Sequence, residues 1–342
     1  MDRCSGRVLY EKNAYQKMGM ASTTKIVTAI VAIEHADLNA TVTVNPTAAG
    51  VEGSSIWLAA GEQIKLEDLL YGLMLNSGND AAVAIAEFVA GDVPRFCDMM
   101  NETAKSIGAV NTNFTNPNGL SDKNHYTTAY DLALLTRYAL SNPKFAEIVG
   151  TKNKTIPWEG RDYGRKLSNH NKMLSIYDGC DGVKTGFTKD TGRTLVTGAT
   201  RGGLQLIAVT LNDPDDWRDH TKMLDDVFLK YKPESITRAG TVFGTVKVRS
   251  GAEKFVDAVA GQDFYIPLSE GENYNVKADL PDEITAPAEE GQQIGLAKVS
   301  INGVSSVSFP LVAKGGVSLK KTTGDRGYIG NLANILMSWL VR

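Results

Sequence analysis

Ser22 and Lys25 are three residues apart in the sequence, a spacing that suits nucleophilic catalysis. Residues three apart lie on one face of a helix, so the Ser22 hydroxyl and the Lys25 amine can meet. A serine hydroxyl is a weak nucleophile until a base takes its proton, and a lysine whose pKa is lowered by burial or by positive neighbours can be that base. The pair therefore predicts acyl transfer through Ser22. The simpler alternative is that Ser22 caps the helix.

A second motif, Ser77-Gly78-Asn79, stands between two predicted helices. A loop at that place can present one hydroxyl and one amide to a cleft. We expect Ser77 to pass a proton to the leaving amine, and Asn79 to hold Lys25 and the substrate backbone. The motif alone has a simpler explanation, because the turn that ends a helix also favours glycine and asparagine.

A third motif, Lys184-Thr185-Gly186, lies on a predicted strand. Lys184 supplies a positive charge for a substrate carboxylate, and Gly186 lets a peptide lie beside the strand as an added strand. The N–H of Phe187, directly after Gly186, is a candidate oxyanion donor. Alone, this motif is a strand entering a turn. The three motifs in this order and context are the signature of penicillin-binding proteins and class A β-lactamases.

The periodicity of apolar residues around the motifs predicts an α+β domain, with a sheet that has helices on both faces. A cluster of helices contains the first two motifs, and an antiparallel meander of three strands contains the third. Arg7–Glu11 also has the pattern of a short strand, and the last helix is expected to pack on the sheet. The predicted helices are Ala21–Ala36, Leu66–Leu75, Asp80–Ala90, Pro94–Ile107, Thr127–Leu140 and Asp216–Lys230, and the strands of the meander are Gly182–Thr188, Arg193–Thr200 and Leu204–Asn212.

The pattern changes again after Pro233. Strand-like segments separated by glycine and acidic turns predict a small all-β module. We therefore divide the chain into a catalytic domain at 1–232, a β-rich domain at 233–315 and an amphipathic segment at 316–342. The predicted strands of the module are Thr241–Arg249, Phe264–Pro267, Asn273–Ala278, Ile294–Ile301 and Ser305–Val312.

The composition of the 342-residue chain is globular, with 42% hydrophobic and 22% charged residues. A net charge of −3 argues against a nucleic-acid partner. The histidines show no H-E-x-x-H spacing and no pairing with cysteines, so we expect no metal site, and no motif indicates a cofactor. No apolar signal stretch follows Met1, yet the strand pattern of Gly6–Glu11 favours the mature chain of an exported protein over a cytoplasmic one.

Four longer stretches make the sequence similar to a known family. They contain the three motifs and one further turn, and they are specific well beyond the motifs themselves. On these stretches the sequence closely resembles the low-molecular-mass penicillin-binding proteins that act as D-alanyl-D-alanine carboxypeptidases. The stretches are Ala21–Glu34, Leu75–Glu87, Asn116–Ala133 and Asp181–Thr188.

The resemblance implies a serine peptidase with a transpeptidase-like fold followed by a small β domain. It also implies removal of the terminal D-alanine from the peptidoglycan pentapeptide outside the cytoplasmic membrane. β-Lactam antibiotics would bind covalently to the same serine. The family's roles fall on Ser22 as nucleophile, Lys25 as base, Ser77 and Asn79 beside them, and Lys184, Thr185 and Gly186 on the substrate strand, with Phe187 where some relatives carry histidine.

Three alternatives use the same fold. A class A β-lactamase usually carries a carboxylate in an E-x-x-L-N pattern, and none occurs between Asn79 and Lys184, where Glu147 and Glu159 lack that context. A noncatalytic wall-binding protein has no need of an intact serine–lysine pair. An endopeptidase acting on cross-links stays open, because it would use the same residues.

The last fifteen residues have an amphipathic helical pattern. An apolar stripe that includes a tryptophan follows a basic stretch, which suits the interface of an anionic bilayer. The stripe is too short to cross the bilayer, since a membrane-spanning helix needs about 20 apolar residues. We predict peripheral attachment to the outer face of the cytoplasmic membrane; the alternative is a helix packed on the β module or a dimer contact. The stripe is Ile329, Leu332, Ile335, Leu336, Trp339 and Leu340, preceded by Lys314, Lys320, Lys321 and Arg326.

Deleting Tyr328–Arg342 should release the protein from anionic vesicles without changing its turnover of a small soluble peptide. Salt should weaken the binding of the full chain, because part of the attraction is electrostatic. Co-sedimentation with anionic vesicles measures both effects, with neutral vesicles as the control. If the full chain does not bind, or if the deletion unfolds the β module, the segment is not an anchor.

Overall fold

The computed structural model describes residues 1–320 of the chain. They form two compact units, one made of Met1–Pro233 with Pro267–Glu270, the other of Glu234–Ile266 with the chain from Gly271 on. The predicted membrane segment Tyr328–Arg342 lies outside the described residues. Up to residue 320, no helix has both the length and the apolar character needed to cross a membrane.

The first unit is built around helix α1, Lys25–His35. Its residues from Lys25 to Ala32 are all buried, because five further helices pack against it. The predicted helices are confirmed to within two residues at each end, except that a 3-10 turn replaces the start of the first. The surrounding helices are α2 (Leu66–Leu75), α3 (Asn79–Ala90), α4 (Val93–Ile107), α5 (Ala129–Ala139) and α6 (Pro143–Gly150).

Four short strands and one short helix lie in two connections, one between α1 and α2 and the other after α6. The strands form two antiparallel ladders, and neither ladder was predicted, because three or four residues are too few to show a period. One ladder joins β1 (Thr41–Thr43) to β2 (Gln63–Lys65), the other joins β3 (Asn153–Ile156) to β4 (Arg165–Ser168), and the short helix is α7 (Met173–Ile176).

The predicted meander is confirmed as an antiparallel sheet of β5 (Cys180–Thr188), β6 (Gly192–Arg201) and β7 (Leu204–Leu211). Helix α8, Asp216–Lys230, packs on β6 and β7 as expected. The 3-10 turn before α1 contacts β5 and β6. The sheet therefore brings the third motif to the first.

The strand predicted at Arg7–Glu11 is wrong, because these residues join no ladder. The start of the chain pairs with the free edge of β7 instead: Met1 exchanges backbone hydrogen bonds of 2.9 and 2.8 Å with Ile207. The chain then turns at Gly6, whose φ is +75°. A short apolar run such as Val8–Tyr10 predicts an extended segment, but it does not say whether a partner edge is available.

The second unit is the predicted all-β module. Its core includes Phe264 and Phe309, whose ring centroids are 4.4 Å apart. The five predicted strands are confirmed, and three more were missed, of which one has only three residues. The strands are β8 (Tyr231–Thr237), β9 (Val242–Arg249), β10 (Phe255–Ala260), β11 (Phe264–Ser269), β12 (Tyr274–Asp279), β13 (Glu283–Thr285), β14 (Gln293–Ile301) and β15 (Val304–Ala313); the main sheet has the order β12-β14-β15-β10-β9-β13, and β11 pairs with β8.

Candidate active site

Ser22 lies in the 3-10 turn, Ala21–Thr24, that leads directly into α1. Ala21 has a φ of +46°, a left-handed conformation that is uncommon for alanine. The Thr24 hydroxyl holds the turn by donating to the Ala21 carbonyl at 2.8 Å. No side chain caps the turn or α1, so the helix-cap alternative for Ser22 is wrong. Ser22 itself is half-buried, whereas its neighbours Ala21 and Thr23 are buried.

The Lys25 amine is fully buried and surrounded by three oxygen atoms. Its Nζ lies 2.9 Å from Ser22 Oγ, 2.7 Å from Asn79 Oδ1 and 2.6 Å from the Asn118 carbonyl oxygen. All three neighbours are uncharged, and within residues 1–320 no carboxylate forms an ion pair with this amine. The structure thus confirms the predicted contacts of Lys25 with Ser22 and Asn79 and adds a third.

Burial lowers the pKa of Lys25 well below its usual range, the positive charge of Lys184 lowers it further, and Asp80 partly opposes both. A neutral amine has two N–H groups and one lone pair. The oxygens of Asn79 and Asn118 take the two N–H groups, so the lone pair is left for the Ser22 hydroxyl. This is the geometry of a general base placed to accept the serine proton.

A loop that precedes α2 fixes the amide of Asn79. The Asn79 Nδ2 donates to the Glu52 carbonyl at 2.6 Å, and its backbone N–H donates to the Ser54 carbonyl at 2.7 Å. Because the amide nitrogen is occupied, Oδ1 is left facing Lys25. Ser77 is buried and has a φ of +58°, which turns the chain from α2 into α3 beside this loop.

Asp80 anchors the same loop and was missed as a site residue. Its carboxylate is fully buried and accepts from the Ser55 hydroxyl and from the N–H groups of Ile56 and Leu58. From the sequence, Asp80 is only the first residue of a predicted helix. The available signal was an aspartate next to Asn79 and directly before the apolar run Ala81–Ala86, since a buried aspartate needs several donors.

The third oxygen around Lys25 belongs to the backbone of a turn. Asn118 is buried, and Gly119 beside it has a φ of +89°. A Cβ on Gly119 would lie 1.9 Å from the Ala21 carbonyl oxygen, so only glycine lets this turn approach the Ser22 turn so closely. A backbone carbonyl can come from any residue type, so the sequence carried no signal for this contact.

The third motif reaches the site along β5. A Cβ on Gly186 would lie 2.9 Å from the Ser22 nitrogen, so glycine is needed for contact with the nucleophile as well as for a substrate. Lys184 is buried, its Nζ donates to the Thr185 carbonyl at 2.9 Å, and burial lowers its pKa to about 7. The Phe187 side chain is 65% exposed.

His125 braces the Ser22 turn, a role we did not predict. Its Nδ1 accepts from the Thr115 N–H at 3.1 Å, so Nε2 carries the proton and donates to the Thr24 hydroxyl at 2.7 Å. Thr24 in turn donates to the Ala21 carbonyl. Burial lowers the pKa of His125 to about 4, so the ring stays neutral at neutral pH and keeps these roles.

The carboxylates considered for a β-lactamase are engaged elsewhere. Glu147 accepts from the Tyr71 hydroxyl and from Lys144, and Glu159 accepts from the Gln63 N–H. Neither is bonded to a residue of the three motifs. A β-lactamase mechanism that needs a carboxylate near the serine is therefore not favoured.

Comparison with known proteins agrees with this geometry. A family described as D-alanyl-D-alanine carboxypeptidase matches residues 1–215, and the penicillin-binding protein 5 C-terminal domain matches residues 231–318. The D-alanyl-D-alanine carboxypeptidase DacF of Bacillus subtilis is 34% identical, covering 95% of this chain and 88% of its own length. DacC of Escherichia coli is 32% identical, over 98% of this chain and 86% of its own length. Penicillin-binding protein 5 from Haemophilus influenzae has a similar structure, with a TM-score of 0.74 at 30% identity, over 93% of this chain and 96% of that one.

Replacing His125 by alanine should slow covalent labelling by a fluorescent penicillin, because the Ser22 turn loses its support through Thr24. We expect an acylation rate about tenfold lower per folded molecule, since small displacements of a nucleophile are costly. Loss of the two hydrogen bonds should also lower stability by about 1–3 kcal/mol. His125→Gln, whose amide can both donate and accept, should restore most of the rate.

His220→Ala is the matched control for that experiment. His220 is also buried and bonded to two threonine hydroxyls, those of Thr197 and Thr210, but it lies between α8 and the sheet. The substitution should lower stability without slowing the acylation of molecules that remain folded. Equal slowing in both variants would mean that His125 has a structural role only.

Proposed function

Since the chain belongs to the D-alanyl-D-alanine carboxypeptidase family, we propose that it removes the terminal D-alanine from peptidoglycan stem peptides through an acyl-enzyme on Ser22. The observation that carries this proposal is the 2.9 Å contact between the Ser22 hydroxyl and the desolvated Lys25 amine. A half-exposed serine beside a buried uncharged base is the environment that an activated serine nucleophile requires. β-Lactams would acylate the same oxygen.

In the acylation step, the Lys25 lone pair takes the Ser22 proton while Oγ attacks the carbonyl carbon of the penultimate D-alanine. The N–H groups of Ser22 and Phe187 are the proposed donors to the tetrahedral oxyanion. When the intermediate collapses, its C–N bond breaks and the departing amine receives the proton, with the Ser77 hydroxyl as the relay. D-Alanine leaves and an ester on Ser22 remains.

Lys184 is the proposed partner of the substrate's terminal carboxylate. Burial lowers its pKa to about 7, and among the described residues its amine has no carboxylate partner. A bound carboxylate would supply the missing negative charge, raise that pKa and favour the protonated amine. Thr185 and Gly186 would form the strand edge against which the peptide lies.

Hydrolysis of the ester regenerates the enzyme. Water attacks the ester carbonyl, Lys25 takes one proton from it, and Ser22 recovers that proton as the shortened peptide leaves. Lys25 would thus serve both half-reactions as the base in contact with Oγ. Endopeptidase cleavage of cross-links would use the same groups, but the relatives above are named as carboxypeptidases, which favours removal of the terminal residue.

The proposed place of action is the outer side of the cytoplasmic membrane, where the peptidoglycan substrate is found. The relatives are named as D-alanyl-D-alanine carboxypeptidases, and peptides that end in D-Ala-D-Ala belong to that substrate. The amphipathic pattern of Tyr328–Arg342 supports attachment to that membrane surface.

Ser22→Ala should abolish covalent labelling by penicillin and release of D-alanine while the fold is retained. Lys25→Ala should reduce acylation at least ~10²-fold, because the hydroxyl loses its base. Mass spectrometry of the intact protein after incubation with penicillin measures the adduct. Ser106→Ala, at an exposed serine on α4, is the matched control and should label fully. An adduct on Ser22→Ala would contradict the assignment of the nucleophile.

Amidating the terminal carboxylate of the substrate should lower kcat/KM about tenfold or more, because a charge-assisted contact with Lys184 is lost. Lys184→Met should remove this preference for the acid over the amide, and Lys184→Arg should keep it. Lys189→Met, at an exposed lysine on the loop after β5, is the control and should behave as the unsubstituted protein. Equal turnover of acid and amide by the unsubstituted protein would rule out this role of Lys184.

A further inference from the structure

A cavity of about 530 Å³ lies beside the active site and takes no part in the mechanism above. Its walls come from the loop before α2, from the end of α2 and from the β3–β4 hairpin. Two tryptophans, a tyrosine and an arginine dominate the lining: Trp57, Trp158, Tyr163 and Arg165. Asn76 also lines it, and Asn76 is the residue before Ser77. The cavity therefore begins one residue from the second motif.

Trp57 is held in an unusual position on this wall. It is 75% exposed and has a φ of +61°, a left-handed conformation that bulky residues rarely adopt. Both neighbouring N–H groups, those of Ile56 and Leu58, are bound by the buried Asp80 carboxylate, which fixes the backbone on either side. A strained and exposed tryptophan that is rigidly supported is typical of a ligand platform rather than of a core position.

Arg165 supplies polar groups that lack partners. Its side chain is only 4% exposed, and its Nη2 pairs with Glu62 at 2.8 Å, which balances its charge. Its Nε and Nη1 are buried and have no hydrogen-bond acceptor in the described part of the chain. Unsatisfied buried donors are costly, so a ligand oxygen at this wall would be stabilising.

These features select the chemistry of the occupant. Trp158 already has two cations over its ring, Arg161 at 5.7 Å and Arg165 at 4.6 Å, so a further cation would be repelled. Glu62 balances the charge of Arg165, so this guanidinium offers a ligand hydrogen-bond donors rather than net charge. A neutral ligand with an apolar face for the exposed rings of Trp57 and Tyr163 and with carbonyl or hydroxyl oxygens for the guanidinium fits both requirements. An N-acetylated sugar has these properties.

We propose that this cavity binds an N-acetylated sugar of the glycan strand that carries the stem peptide. The inference rests on the proposed function, because it takes peptidoglycan as the substrate. The peptide between the sugar and its D-Ala-D-Ala end can bridge the two sites, since an extended chain spans about 3.3–3.6 Å per residue. The cavity would then make the enzyme prefer peptides that are still attached to glycan.

The test compares two substrates that share one full-length stem peptide, free in one case and attached to its N-acetylated disaccharide in the other. The ratio of their kcat/KM values, measured by release of D-alanine, should be about ten in favour of the disaccharide form. The preference for the disaccharide form should appear in KM rather than in kcat. Trp57→Ala and Tyr163→Ala should each lower the ratio towards one, whereas Tyr10→Ala, at a tyrosine that is 60% exposed away from the cavity, should not.

A ratio near one in the unsubstituted protein would overturn the proposal. Equal losses on both substrates in Trp57→Ala and Tyr163→Ala would also overturn it, because the cavity would then bind peptide rather than sugar. Binding of the disaccharide alone to Ser22→Ala, followed by tryptophan fluorescence, gives a readout without turnover. If the unsubstituted protein releases no D-alanine from either substrate, the proposed function fails. The sugar site still stands in that case if the disaccharide binds to Ser22→Ala and does not bind to the double variant Ser22→Ala/Tyr163→Ala.

Discussion

The contact on which the rest of the site depends is the one between a buried lysine amine and uncharged oxygens. Lys25 has no solvent exposure, and the groups around its Nζ are a hydroxyl, a side-chain amide and a backbone carbonyl. Had a carboxylate stood in place of Asn79 or Asn118, the amine would be held protonated and could not act as a base. Neutral acceptors, a second lysine nearby and exclusion of water together favour the uncharged amine.

This arrangement costs stability, and several other contacts of the site offset that cost. The pKa of Lys25 is lower in the folded chain than in the unfolded chain, so the unfolded chain binds more protons. Lys25 therefore destabilises the fold, and it does so increasingly as the pH falls from the unfolded pKa to the folded one. The acceptors must therefore be held rigidly. Asp80 fixes the loop that holds Asn79, and Gly119 lets the Asn118 carbonyl approach.

Contacts set by local spacing could be predicted from the sequence, whereas contacts set by distant backbone could not. The three-residue separation of Ser22 and Lys25 predicts their contact, and it occurs. The meander and the helices also follow from periodicity. The Asn118 carbonyl carries no residue-type signature, and the bond between His125 and Thr24 joins segments about a hundred residues apart in sequence. Arg7–Glu11 shows the same limit, because a short apolar run does not identify a partner edge.

Lys25 can act as the base because its amine is uncharged in the resting site. The most direct measurement is the second-order rate of penicillin acylation from about pH 5 to about pH 11, measured in Lys184→Arg so that the anion-binding charge stays constant. We expect a rate that rises with pH and reaches a plateau, with a midpoint well below 10.5, the usual pKa of lysine. A rate that keeps rising until a midpoint near 10.5 would mean that Lys25 is protonated in the resting site, and it would contradict the account.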